Sequence, residues 1–509
     1  MNEHTKLGLK ILAGAALLGV LGDALLRVMP WGLNITLWAA ALAVTVLALA
    51  PSRREALAGG GYWLLLPSAF FAACFAWRDS PLLKMLNIFA LVITLSLLVL
   101  RAQGKKLSSA GLLEYALGSF ITVVDVMFSP VILLLKDIDW KELRSHRASR
   151  PALVIGRGIL FSVPPVLIFG GLLVAADPVF EDIVKNTLHL SFPELLSHCF
   201  LAAFFAWIVG GYMRGMLLGK EADLVAANAP SAPTLGITEI SIVLGLVDVL
   251  FFAFVLVQLQ YFFGGSELVT KTTGLTYADY ARRGFFELVA VAMLVLPLLL
   301  FLHWLLRKDN PAHERIFRAL AGAQILLLFV IMASALERMR LYEVEYGLTE
   351  LRLFTTAFMG WLAVVFVWFA LTVLRGNRKP FAFGALIAGY VLIAALQAVN
   401  PDALIARTNS TRALGGHKFD AGYAGWLSAD AVPALVQALP HLGPTALSSD
   451  DRCNLSTRIL SHWAAPEEND WRTWSLARAQ AIQAVRENES ELRAIACPAA
   501  NGVDNHAGH

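Results

Sequence analysis

The sequence predicts an all-α protein: a polytopic transmembrane helical bundle of about eleven spans, with a small extracytoplasmic helical domain at its C-terminal end. Three observations lead there. Of 509 residues 57% are hydrophobic and only 16% charged, whereas a soluble domain carries about a quarter charged residues. Apolar runs close to the ~20 residues that cross a bilayer recur over the first four hundred positions. Beyond residue 400 the pattern becomes amphipathic and helical, with no strand-like alternation.

The runs lie near residues 8–26, 35–50, 61–77, 83–100, 152–175, 196–218, 240–263, 285–306, 316–337, 354–374 and 380–399. The first lacks an Ala-x-Ala cleavage site and is soon followed by another, so it reads as a retained span. Direction comes from Lys and Arg in short loops. Arg53 and Arg54, Arg101 with Lys105 and Lys106, Arg307 with Lys308, Arg315 and Arg318, and Arg375 with Arg378 and Lys379 all follow alternate spans. Placing them in the cytoplasm puts the N-terminus inside and the region after residue 400 outside, as for a protein of a bacterial inner membrane. Residues 109–135 resist this count, because the basic segment from Lys141 to Arg150 also belongs inside. That segment reads as a re-entrant hairpin bent near Ser129-Pro130 or an interfacial helix, with Glu114 and Asp125 turned from lipid and a true span as the alternative.

The resulting division is 1–108 for N-terminal transmembrane helices, 109–150 for the re-entrant or interfacial segment with its basic loop, 151–400 for the main transmembrane core, 401–497 for the outer domain and 498–509 for a tail without periodicity. Asn400-Pro401 marks the boundary, since a residue before proline is pushed away from helix. Ser428 is an N-cap candidate, and Trp463, Trp471, Trp474, Leu476 and Ile482 are available to pack the domain. Cys453 and Cys497 form a candidate disulfide if this region is exported, a crosslink that chain-entropy reasoning values at roughly 4 kcal/mol; two free thiols are the alternative. Cys74 and Cys199 lie within spans as small buried hydrophobes.

Polar residues at the edge of the oil are the candidate functional positions. In "GLTYADYARRGFFELV", residues 274–289, Thr276 and Asp279 fit a capping box. Asp279, Arg283 and Glu287 then share one helical stripe, and Tyr277 and Tyr280 suit the membrane interface. Arg283–Glu287 either staples this helix to a neighbour, or Glu287 titrates or contacts a solute. In "ALERMRLYEVEYGLTELRL", Arg338, Tyr342 and Tyr346 form a second stripe beside Glu337. Asp248 is the deepest acid, sharing the seventh span with Glu239, while Asp23 lies in the first and Arg157 in the fifth; Arg157, Arg283 and Arg338 are the candidate partners.

These two stretches, with "NPDALIARTN" and "AADPVF", resemble a family of bacterial polytopic inner-membrane proteins catalogued only as a domain of unknown function. The resemblance covers roughly residues 150–480 and departs at Thr408, where an aromatic is expected. It implies an integral envelope membrane protein and supplies no substrate, cofactor or catalytic residue.

A net charge of +3 without clustered Lys and Arg argues against a nucleic-acid partner. His417, His441 and His462 share no metal-ligand spacing, and no phosphate loop, nucleophile elbow or Cys/His constellation is present, so no cofactor, metal or catalytic residue is assigned and an envelope enzyme ranks third. Two functions lead. One is envelope sensing or assembly, with membrane lipids and an envelope protein or ligand at the outer domain as partners. The other is a solute or ion/proton-coupled transporter using Asp248 and Glu287.

Overall fold

The computed structural model describes residues 2–49, 62–104, 112–145, 192–219, 235–273, 285–307, 310–377, 379–464 and 470–497, with scattered positions between 162 and 177. Their regular structure is helical apart from one isolated bridge between Leu235 and Leu306. The first group comprises α1 (Glu3–Leu26), α2 (Leu33–Leu49), α3 (Leu65–Trp77), α4 (Pro81–Ala102), α5 (Leu112–Ile132), the short α6 (Trp140–Ser145) and α7 (Phe192–Leu217). The second comprises α8 (Ile237–Thr273), α9 (Phe285–Leu305), α10 (Pro311–Tyr346), α11 (Glu350–Thr372) and α12 (Phe381–Val399). The C-terminal region adds α13 (Pro401–Leu414), α14 (Ala421–Ala424), α15 (Val432–Ala438), α16 (Ser449–Trp463), α17 (Leu476–Glu487) and α18 (Glu489–Ile495).

Among the described residues nine helices are long and apolar enough to cross a membrane, and α2 and α3 are shorter apolar helices. Phe200, Leu246, Leu294 and Leu326 stand exposed on four of the nine. A helix apolar on every side needs an apolar surrounding, which bilayer hydrocarbon supplies. The chain is therefore an integral membrane protein. The expected span at 152–175 lies mostly outside the described residues.

Apolar packing forms separate cores. One joins α1, α2, α4 and α7, including Ile11, Leu18, Leu97 and Met213; another joins α8 to α11, including Leu244, Leu299, Leu328 and Phe366. Helix α12 touches both, through Phe381 on one side and Ala382 on the other. It is a seam between the two bundles. At its end Asn400 adopts a left-handed φ of 57°, a conformation asparagine tolerates better than most residues. Its side chain then accepts from the Ala403 N–H, with Pro401 in the first turn of α13. One residue thus stops α12 and starts α13, the helix break that Asn400-Pro401 leads one to expect.

Helix α5 runs unbroken through Ser129-Pro130 into a π-helical turn, Leu133–Asp137, with no hairpin bend. Gly118 packs on Leu100 near the end of α4, while Asp137 accepts from Arg214 Nε at 2.6 Å near the end of α7. Proline deprives the Val126 carbonyl of its usual helical donor. At that point α7 presents Gly211, where a Cβ would strike the Val126 carbonyl and sit 3.2 Å from Pro130 Cδ. The glycine lets α7 close on the broken ladder, which is why the proline need not bend the chain back.

Overpacking a tight contact costs about 1–3 kcal/mol or more. Gly211→Val is therefore expected to lower the detergent-solubilised protein's melting temperature by several degrees. Gly245→Ala, which meets nothing within 4 Å, should leave it unchanged or slightly raised.

Candidate functional site

The C-terminal region has its own apolar core, including Ala406, Leu435, Leu455, Ile459, Ala481 and Leu492. Polar contacts fasten it to three turns at one end of the spans. At the turn between α1 and α2, the Leu33 N–H donates to the Trp474 carbonyl at 2.8 Å and the Arg472 guanidinium to the Ala24 carbonyl. At the turn between α10 and α11, Asn409 in α13 accepts from the Leu348 N–H and donates to the Leu348 carbonyl, both at 2.8 Å. Gly347, at φ 79°, makes room there; a Cβ would lie 2.6 Å from Asn409 Oδ1.

The turn between α3 and α4 carries the densest network. Arg78, 8% exposed, donates to the Gln397 carbonyl at 2.8 Å and to Asp430 Oδ1 at 3.2 Å. The second Asp430 oxygen accepts from the N–H groups of Asp79 at 2.7 Å and Ser80 at 3.3 Å. Asp79 in turn holds Lys84 Nζ at 2.6 Å and Arg478 at 3.0 Å. Ser428 caps the short turn that aims Asp430, its hydroxyl accepting from the Asp430 N–H. Below, Gln397 donates to Asn87 at 2.9 Å, and Tyr390 and Thr94 share a hydrogen bond at 2.5 Å. A buried polar ladder therefore runs along the α4–α12 contact from the C-terminal region.

Asp402 lies beside this network, fully buried, accepting from the Ser428 N–H at 3.2 Å. Burial pushes its carboxyl up to about 7, with the charges of Glu350 and Asp430 adding to the rise.

Above the junction opens a cleft of about 1190 Å³. Its floor includes Val28, Met29 and Pro30 of the α1–α2 turn and Asp79; its walls come from the C-terminal region, with Trp426, Arg458, Trp463, Arg478 and Arg486 among them. Cys453 and Cys497 lie behind, bonded, with Cα atoms 4.7 Å apart, within the range a disulfide spans.

The positions singled out from sequence are mostly dispersed. Tyr277, Asp279, Tyr280 and Arg283 lie outside the described residues. Glu287 is exposed in the first turn of α9. Arg338 donates to Gln258 Oε1 at 2.7 Å, which also accepts from Ser334 at 2.9 Å. Tyr342 and Tyr346 meet edge to face at 4.9 Å, with the Arg352 guanidinium 4.0 Å from the Tyr342 ring centre. Glu337 contacts Arg340 at 4.0 Å near the surface.

Asp248 stands apart from them. It lies ten residues, about 15 Å at 1.5 Å per residue, from Gln258 along α8. Both its carboxylate oxygens are buried without a hydrogen-bond partner among the described residues. Gln324 of α10, fully buried, has both amide atoms in the same condition. Leu235 bonds beside Leu305 and Arg307 while Gln258 reaches Ser334, so α8 and α10 run in one direction and Asp248 stands level with Gln324. Asp23 is paired with Arg27 at 2.7 Å and His198 at 2.5 Å, and Glu239 accepts from the Gly236 N–H. Cys74 is buried as expected, whereas Cys199 is exposed on α7.

Sequence reading passed over Arg78, Asp79, Lys84, Asp402, Asp430 and Arg478. A signal existed in "RDSPLLKMLN", where three charges interrupt the boundary between two apolar runs. Nothing local tied it to Asp430, 352 positions away.

Removing one partner of a buried ion pair costs about 3–5 kcal/mol, whereas replacing both by apolar groups costs far less. Asp430→Ala and Arg78→Met should each destabilise the protein by that amount, and Arg78→Met with Asp430→Leu by clearly less than their sum, read by denaturant unfolding in detergent. A second outcome concerns pH. Asp402 holds its proton to about 7 when folded but releases it near 3.9 when unfolded. Unfolding thus releases a proton across that interval, so the contribution of Asp402 to stability is fully present below about 4, is lost as pH rises, and levels off above 7. Asp402→Asn should flatten that slope in melting curves taken from pH 4 to 8.

No curated protein and no solved structure matches the chain. Residues 65–438 match a family described as a domain of unknown function, DUF4153. The matched segment takes in α3 to α15, with the Arg78–Asp430 junction, and stops before the α16 and α17 walls of the cleft. Covering well over half of the sequence, it establishes that this chain is a member of the DUF4153 family of proteins of unknown function.

Proposed function

We propose that the protein sits in the inner membrane of a bacterium, N-terminus cytoplasmic and C-terminal domain outside, and acts in envelope sensing or assembly through that domain. The observation that carries this reading is the buried charge network joining Arg78, Asp79 and Lys84 of the spans to Asp430 and Arg478 of the domain. Desolvated ion pairs at an interface fix register and are costly to open. A domain held so firmly on three span turns, with a cleft along the same surface, is suited to receive a ligand or partner and bear on the helices beneath.

A second reading, a solute or ion/proton-coupled transporter, has one specific observation in its favour. Asp248 and Gln324 stand level inside one helix pair without partners among the described residues. An intramembrane acid is costly unless it has work to do.

Deleting the gene in its own host and complementing with variants separates the two. The sensing reading expects failure by a chain truncated before residue 410 that still reaches the membrane, failure by Arg458→Glu in the cleft, and full rescue by Asp248→Asn. The opposite pattern favours transport. Alkaline phosphatase fused after residue 509 should be active; an inactive, cytosolic fusion overturns the orientation.

A further inference from the structure

We infer that the cleft between the outer domain and the α1–α2 turn binds the phosphate-bearing headgroup of an anionic lipid. The inference deepens the sensing reading and rests on the domain's seat at the membrane surface.

The charge count comes first. Four arginines line the cleft against two acids. Arg472 is held by Asp470 at 2.5 Å and Arg478 by Asp79 at 3.0 Å. Arg458 and Arg486 are exposed and have no acidic partner among the described residues. Arg458 instead lies flat on Trp426, its guanidinium carbon 4.2 Å from the ring centre. This leaves its donor fork open, and such forks match phosphate oxygens in pairs. His462, also on the wall, is set edge-on to Trp463 at 4.9 Å. Arg478 adds a buried Nε without a partner among the described residues.

Position and lining decide between a lipid and a soluble phosphate. The floor is a turn joining two apolar helices, so the cleft opens where headgroups lie. Its rim is apolar and aromatic: Trp426 is 78% exposed, Met29 70% and Trp474 45%. Tryptophan at such a level favours the interface, where its ring meets chains and its N–H meets water. A site for free phosphate has no use for that rim. At about 1190 Å³ the space exceeds the ~300–1,000 Å³ of ordinary small-molecule pockets, and it admits a headgroup with the first part of its chains.

The test uses the full chain in neutral detergent, with bound species counted by native mass spectrometry. Phosphatidylglycerol should be retained about ten-fold over phosphatidylcholine, a difference worth about 1.4 kcal/mol, and glycerol phosphate should not be retained. Arg458→Gln with Arg486→Gln should bring phosphatidylglycerol down to the phosphatidylcholine level at an unchanged melting temperature, and Trp426→Ala should lower it too. Equal retention of both lipids by the wild type, undiminished retention by the double variant, or displacement by millimolar inorganic phosphate would each overturn the assignment. Lipid retention lost together with complementation supports both conclusions. Retention lost while complementation persists keeps the site and sinks the sensing role.

Discussion

The contact on which the rest depends is the buried pair of Arg78 and Asp430. Each charge lies among apolar helices, where an unpaired ion is far costlier than in water. Asp430 answers one guanidinium and two backbone N–H groups of a single turn, so the C-terminal region supplies partners that the turn between α3 and α4 lacks by itself. The other two docking points follow the same logic at backbone groups, with Arg472 and Arg412 adding guanidinium bonds to span carbonyls. Asn409 completes the backbone bonding of Leu348, and Trp474 completes that of Leu33. Span ends carry backbone groups that the helix itself cannot satisfy. The domain supplies partners for three of these turns, which ties its fold to theirs.

The spans were legible because hydrophobicity is a local property: each apolar run declares itself within twenty residues. Asn400-Pro401 and Ser428 were legible for the same reason, since a helix stop and a cap depend on a few neighbouring atoms. The direction of α5 was less so. Its length and composition fit a crossing, and Pro130 invited a hairpin, but Gly211 of another helix decides that the backbone carries straight on. The polar site was hidden for a related reason. Depth within a run made Asp248 prominent and suggested Arg338 as its partner, yet Arg338 turns to Gln258 about 15 Å away along α8. Arg78 and Asp430 matter through a pairing across most of the chain, which no spacing rule encodes.

The two candidate sites occupy different parts of the packing. Asp248 and Gln324 belong to the bundle of α8 to α11, far from the polar ladder that runs from Asp430 through Gln397 and Asn87 to Tyr390 and Thr94. That ladder lies on α12, the helix that touches both bundles and continues into the domain. A strain applied at the domain reaches α4 and α12 through Arg78 and Gln397, and reaches the end of α10 through Arg412, which donates to the Val344 and Glu345 carbonyls, and through Asn409 at Leu348. Hydrogen bonds are directional, so both routes are suited to convey a definite displacement. Arg478 makes the first route specific. It lines the cleft with one face and holds Asp79 with the other, and Asp79 holds Lys84 in the first turn of α4. An anion bound in the cleft would compete with Asp79 for the same guanidinium. A continuous chain of polar contacts thus links the cleft to the first turn of α4.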